Sequence, residues 1–106
     1  MQDYSKNIFV SYTTLDPEIN ENLLKDIEKI LLEYGNVFID LLHNDSVEPQ
    51  KRVIQELDKA DILIVINTKS INDSKWVNFE IKKSNIKKIR IVKLSINMIL
   101  ERDFEL

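Results

Sequence analysis

The chain reads as an α/β domain built on a parallel sheet of four main strands, order 2-1-3-4, with helices on both faces. Three observations predict it. Short apolar, β-rich runs alternate with amphipathic helical stretches along the length. One run, Ile62–Ile66, is unbroken, as suits a central parallel strand covered on both sides. The 106 residues, 43% of them hydrophobic, make one core's worth of chain, so residues 1–106 are expected to form a single domain.

Asn7–Tyr12 is the first strand. Asp16-Pro17-Glu18 then reads as a helix start, with Asp16 as cap and Pro17 at the first helical position. Ile19, Leu23, Ile27, Ile30, Leu31 and Tyr34 follow as one apolar stripe. Gly35 is expected to close that helix in a left-handed conformation. Val37–Leu42 is the second strand and His43–Ser46 a polar loop. Pro49 stands near the start of a helix carrying Val53, Ile54 and Leu57. After Ile62–Ile66 comes a polar loop, Thr68–Asp73. Ser74 can cap a helix from Lys75 to about Ile86, with Lys87 and Lys88 at its negative end. Ile89–Leu94 is the fourth strand, and Asn97–Leu106 a short helix or a frayed end.

Composition removes several function classes. The net charge of −3 argues against nucleic acid as a partner. With no cysteine and one histidine, His43, no metal site is expected. A Ser-His-acid triad would have to use His43, and no G-x-S-x-G turn is present. Gly35 is the only glycine, whereas a Walker loop needs two and a dinucleotide fingerprint about three. Any nucleotide must therefore be held by another geometry. Met1–Asn7 is polar, without the layout of a signal peptide, and no apolar stretch is long enough to span a bilayer; a cytoplasmic location without membrane contact is expected.

In an open parallel sheet ligands bind beyond the carboxyl ends of the strands. That rim should gather Ser11–Thr14, Asp40–Asp45, Asn67–Lys69 and the tail after Leu94, with Trp76 close by. Trp76 and Glu80 are four residues apart and share a helix face. The ring could stack on a heterocycle while the acid faces sugar hydroxyls or a developing cation. Equally, Trp76 could anchor the helix to the sheet and Glu80 be a solvated glutamate. His43 reads as a surface loop residue. Asp40 could point into the cleft or bind backbone in its turn. The hydroxyls of Ser11 and Tyr12 could line the cleft or satisfy local backbone. Lys82, Lys83, Lys87 and Lys88 read as a solvated face.

Several segments resemble the Toll/interleukin-1 receptor (TIR) domain family. Ile8-Phe9-Val10-Ser11-Tyr12 with Asp16 is similar to its first sequence box, and Phe38-Ile39-Asp40 to its second strand. Ala60–Ile66 with Thr68 and Ser70 resembles the strand and loop before the third box. Ser74-Lys75-Trp76-Val77-Asn78-Phe79-Glu80-Ile81 is similar to the family's S-x-W-x-x-x-E pattern. The resemblance covers about Asn7 to Leu94. It implies a flavodoxin-like three-layer fold, shortened because the family's fifth strand and last helix have no counterpart after Leu94. His43–Pro49 stands where relatives commonly carry Pro-Gly and an arginine. Many members cleave NAD at the nicotinamide–ribose bond, some cyclising the product in antiphage defence. The resemblance makes Glu80 the catalytic residue; from their place at the rim, Ser11, Tyr12 and Asp40 are expected to line the substrate cleft and Trp76 to shape its nicotinamide side. NAD is then substrate rather than cofactor.

Two other functions fit the same segments. Some TIR domains are adaptors that act by self-association or by binding a TIR partner, and an uncovered last strand would invite such pairing. Nucleoside deoxyribosyltransferases also set a glutamate at an N-glycosidic bond on a related fold. A response-regulator receiver fits poorly, because the acidic pair after its first strand is absent. Glu80→Gln is expected to change stability by no more than about 0.5 kcal/mol, as for a surface substitution.

Overall fold

The computed structural model describes residues 6–106, so Met1–Ser5, most of the polar lead noted above, lie outside the described residues. The elements are β1 (Asn7–Ser11), α1 (Glu21–Leu31), β2 (Asn36–Ile39), α2 (Asp40–His43), α3 (Pro49–Lys59), β3 (Ile62–Ile66), α4 (Lys75–Ile86), β4 (Arg90–Leu94) and α5 (Ile96–Leu100). The sheet is parallel throughout, in the order β2-β1-β3-β4, which is a flavodoxin-like α/β arrangement.

Alternation along the strands divides the core in two. Ile8, Val10, Ile39, Ile62, Ile64 and Ile66 face α1 and α5, where Leu24, Ile27, Ile30, Leu31 and Ile99 cover them. Phe9, Phe38, Leu63 and Val65 face α3 and α4, beneath Val53, Leu57 and Val77. All five residues of β3 are buried because both sides are covered. β4 is an edge, and Arg90 and Lys93 stand exposed on it. Such charges discourage strand addition.

The local chemistry departs from expectation at several points. The first long helix begins at Glu21, and its cap is Asn20, whose side chain accepts from the Leu23 amide at 2.9 Å. Asp16 is not a cap. It is buried, and its carboxylate accepts from the Ser70 amide at 2.8 Å, tying the loop after β1 to the loop after β3. Ile19 precedes the helix but still enters the core, and Leu24 is fully buried where Leu23 is half-buried.

Gly35 has no positive φ. Its reason is space: a Cβ there would stand 2.5 Å from the Lys6 carbonyl oxygen, where the chain passes close to the start of β1. The left-handed positions are Lys88 and Arg102. Each follows a helix cap in a Schellman closure. The Ile89 amide reaches Ser84 O at 2.9 Å, and the Asp103 amide reaches Met98 O at 2.8 Å.

β2 stops at Ile39, because the chain turns there into α2. Asp40 to His43 form one helical turn instead of strand end and loop. α4 starts where expected, with Ser74 Oγ accepting from the Val77 amide at 3.2 Å. The loop before it holds a 3₁₀ turn, Ile71–Asp73, that buries Ile71. Beyond β4, Ser95 caps α5, and Phe104 and Leu106 pack back on the α1 side of the core.

Candidate active site

α4 carries an inverted burial pattern. Its inner stripe is Val77, Glu80 and Ser84, while the large apolar residues Trp76, Phe79 and Ile86 are exposed. Glu80 is only 4% exposed, so it is neither a solvated nor a surface glutamate. Ser11, the last residue of β1, donates its Oγ–H to Glu80 Oε1 at 2.7 Å. The Ser11 hydroxyl thus serves a carboxylate 69 residues away rather than local backbone. It sits behind Glu80 and does not itself line the cleft.

Burial is what sets the protonation of Glu80. Desolvation pushes its pKa up from an ordinary 4.5 to about 7; the Ser11 hydrogen bond pulls the other way, and the nearby Asp40 charge adds to the rise. Between pH 4.5 and 7 the folded state therefore holds a proton that the unfolded state has released. Stability supplied by the protonated form is complete below about pH 4.5 and is lost as pH rises through about 7. The cost above pH 7 is of the order of 3 kcal/mol, at roughly 1.4 kcal/mol per unit. The surface position on which the expected small effect of Glu80→Gln rested is thus corrected, because Glu80 is buried. A neutral amide of the same size removes that cost.

A cleft of about 330 Å³ opens at the carboxyl rim between β1, α2 and α4. Glu80, Trp76, Asp40, Tyr12, Thr13 and Thr14 line it, with Ser74, Leu41, Phe9 and Val10. Four of the five candidate residues thus line the cleft, and the fifth, Ser11, stands behind Glu80. Tyr12 accepts the Leu41 amide on its hydroxyl at 3.0 Å, and burial pushes its pKa up to about 12. Asp40 accepts from Asn44 Nδ2 at 2.6 Å. Trp76 does not anchor α4 to the sheet: it is 39% exposed and stacks on Phe79, ring centroids 5.1 Å apart. Asn67–Lys69 and the tail after Leu94, expected at this rim, do not line the cleft.

The rim segment Ser11–Thr14 supplies Thr13 and Thr14 to the cleft as expected, whereas sequence reasoning missed Ser74 as a cleft residue and the burial of Glu80. The signal for the last was present. Val77, Glu80 and Ser84 recur at three and four residues, the spacing of one helix face.

A second groove, about 260 Å³, lies on the flank of β2 and includes Asn7, Phe38, His43, Arg52 and Glu56. Its polar groups are already engaged. Arg52 Nε donates to Glu56 at 3.0 Å, the Ile39 amide donates to His43 Nδ1 at 2.9 Å, and His43 Nε2 contacts Glu28. His43 is therefore a structural link between α2 and α1 rather than a loose loop residue. Of the lysines expected to be solvated, Lys87 pairs with Asp58 at 2.6 Å and Lys83 approaches it at 4.0 Å.

Among the described residues no group of three His, Asp or Glu side chains is placed to hold a metal ion, and no helix is long and apolar enough to cross a membrane. No protein-family model matches the chain, and no curated protein matches it in sequence.

Proposed function

We propose that the protein cleaves the nicotinamide–ribose bond of NAD, with Glu80 as the catalytic carboxylate. One observation carries this reading: a buried carboxylate at the wall of an open cleft, costly to the fold, and oriented by a serine from the neighbouring strand. Groups kept at such a cost are the usual mark of a functional site.

The chemistry needs little else. The bond between the ring nitrogen and C1′ breaks, its electron pair goes to the nitrogen, and neutral nicotinamide leaves without an acid. The ribosyl cation left behind is stabilised by the Glu80 carboxylate. Water then adds at C1′ and releases a proton, giving ADP-ribose. Trp76 offers a ring face to the departing heterocycle, and Asp40 and Tyr12 can meet ribose hydroxyls.

The test is nicotinamide release by wild type and Glu80→Gln at matched high concentration. A rate at least about 100-fold lower in the variant is expected, the usual scale for a group that stabilises developing charge. Equal rates would end the catalytic role. A second reading, a non-catalytic adaptor, is favoured by the exposed Trp76–Phe79 pair and by Ile86, 73% exposed, on the same helix. It expects concentration-dependent self-association by light scattering and no nicotinamide release from either form.

A further inference from the structure

Resting on the proposed N-glycosidic cleavage, we infer that the cleft selects its substrates by charge: it takes a cationic, phosphate-free pyridinium riboside best, and each phosphate close to the ribose counts against binding.

The lining carries the argument. Among the described residues, Asp40 and Glu80 are the carboxylic acids lining the cleft, and no lysine or arginine lines it. The wall is otherwise aromatic, hydroxylic or aliphatic. The charges that act on Glu80 and Tyr12 are carboxylates too, with Asp40 raising both and Glu80 raising Tyr12. The Glu80 carboxylate is satisfied on one oxygen by Ser11, which is neutral. Phosphate sites are normally built from Lys or Arg, from glycine-rich backbone, or from an open helix end. Gly35, the only glycine, lies at the opposite end of the sheet beside Lys6. The start of α4 borders the cleft through Ser74, whose hydroxyl takes one of the first-turn amides, that of Val77.

The volume agrees. At about 330 Å³ the cleft is at the small end of ligand sites, suited to one nucleoside. The pyrophosphate and second nucleoside of NAD would extend outside it. A pyridinium ring gains from the same two carboxylates that repel phosphate. Nicotinamide riboside, NAD and nicotinamide mononucleotide carry the same scissile bond and differ in the negative charge beside it, so they rank the effect.

The experiment measures kcat/KM for nicotinamide release from these three compounds, in buffers of about 20 mM and about 500 mM salt. At low salt the riboside is expected to exceed the mononucleotide by roughly tenfold or more, the scale for charges some 7 Å apart at a dielectric constant between surface and bulk values. At high salt the ratio should shrink severalfold, because the screening length falls to a few ångströms. Asp40→Asn should lower the ratio at low salt, while a merely structural role for Asp40 would lower all three rates together. Equal rates for riboside and mononucleotide, or a preference for the phosphorylated compounds, would overturn the inference and leave the proposed function standing. No release from any of the three would remove the proposed function, and this inference with it. The salt series on the wild-type protein decides the matter even if Asp40→Asn fails to fold.

Discussion

The two ends of the sheet are built by opposite rules. At the amino end polar groups are plentiful, partly exposed and mutually satisfied. The Asn7 amide donates to Asp61 at 2.8 Å, Asn7 Nδ2 to the Lys59 carbonyl at 3.1 Å, and Asn36 Nδ2 to Asn7 Oδ1 at 3.1 Å. The Asn36 amide reaches Lys6 O at 2.8 Å, the oxygen that leaves no space for a side chain at residue 35. At the carboxyl end the polar residues Ser11, Thr13, Asp16 and Glu80 are buried, and a cleft opens beside them. One end is optimised for closure. The other holds an acid whose desolvation works against the fold. The difference teaches where stability has been given up, and hence where to look for chemistry.

Glu80→Gln is the sharpest way to break this contrast. Besides the loss of activity, urea unfolding at pH 8 should show the variant more stable than wild type by up to about 3 kcal/mol, the desolvation cost of the charge. A less stable variant would mean that Glu80 belongs with the satisfied groups of the other end. A pH series separates the same two cases. Wild-type stability relative to the variant should fall as pH rises from 4.5 through about 7, then level off. In the free enzyme kcat/KM should rise with pH through about 7, because the charged form is the working one.

Gly35→Ala probes the closed end. A Cβ only 2.5 Å from a backbone oxygen forces the chain apart, and a loss of about 2 kcal/mol in unfolding free energy is expected. The cleft is remote, so kcat should hold. An unchanged stability would show that the amino end is looser than its hydrogen bonds imply. Lys88→Gly is the smallest effect. With φ of 60° at Lys88, glycine removes left-handed strain, and thermal denaturation should reveal a gain of up to about 1 kcal/mol with no change in activity.

The parallel sheet and the long helices were legible in the sequence because alternating strands and helices imply parallel crossovers and periodicity reports which sides of an element are covered. Ile62–Ile66 and the Ser74-capped α4 are the clearest cases. The gathering of Tyr12, Asp40, Trp76 and Glu80 was legible for a topological reason, since a parallel sheet sends the ends of β1 and β2 and the start of α4 to one rim. What was not legible depended on tertiary partners. Asp16 looks like a cap until Ser70 takes its carboxylate. Gly35 looks like a helix stop, yet the left-handed positions belong to Lys88 and Arg102. Trp76 draws the eye inward on hydrophobicity, and the helix turns it outward while drawing Glu80 in.

The bond from Ser11 to Glu80 joins the first strand to the last long helix. During synthesis the serine is made early and the glutamate three-quarters of the way along, with β2 and β3 between them. A chain that has not reached α4 therefore owns neither the carboxylate nor the wall it stands in. Under the proposed function, such a domain stays chemically silent through most of its building, and its working acid meets its serine only once α4 has been made.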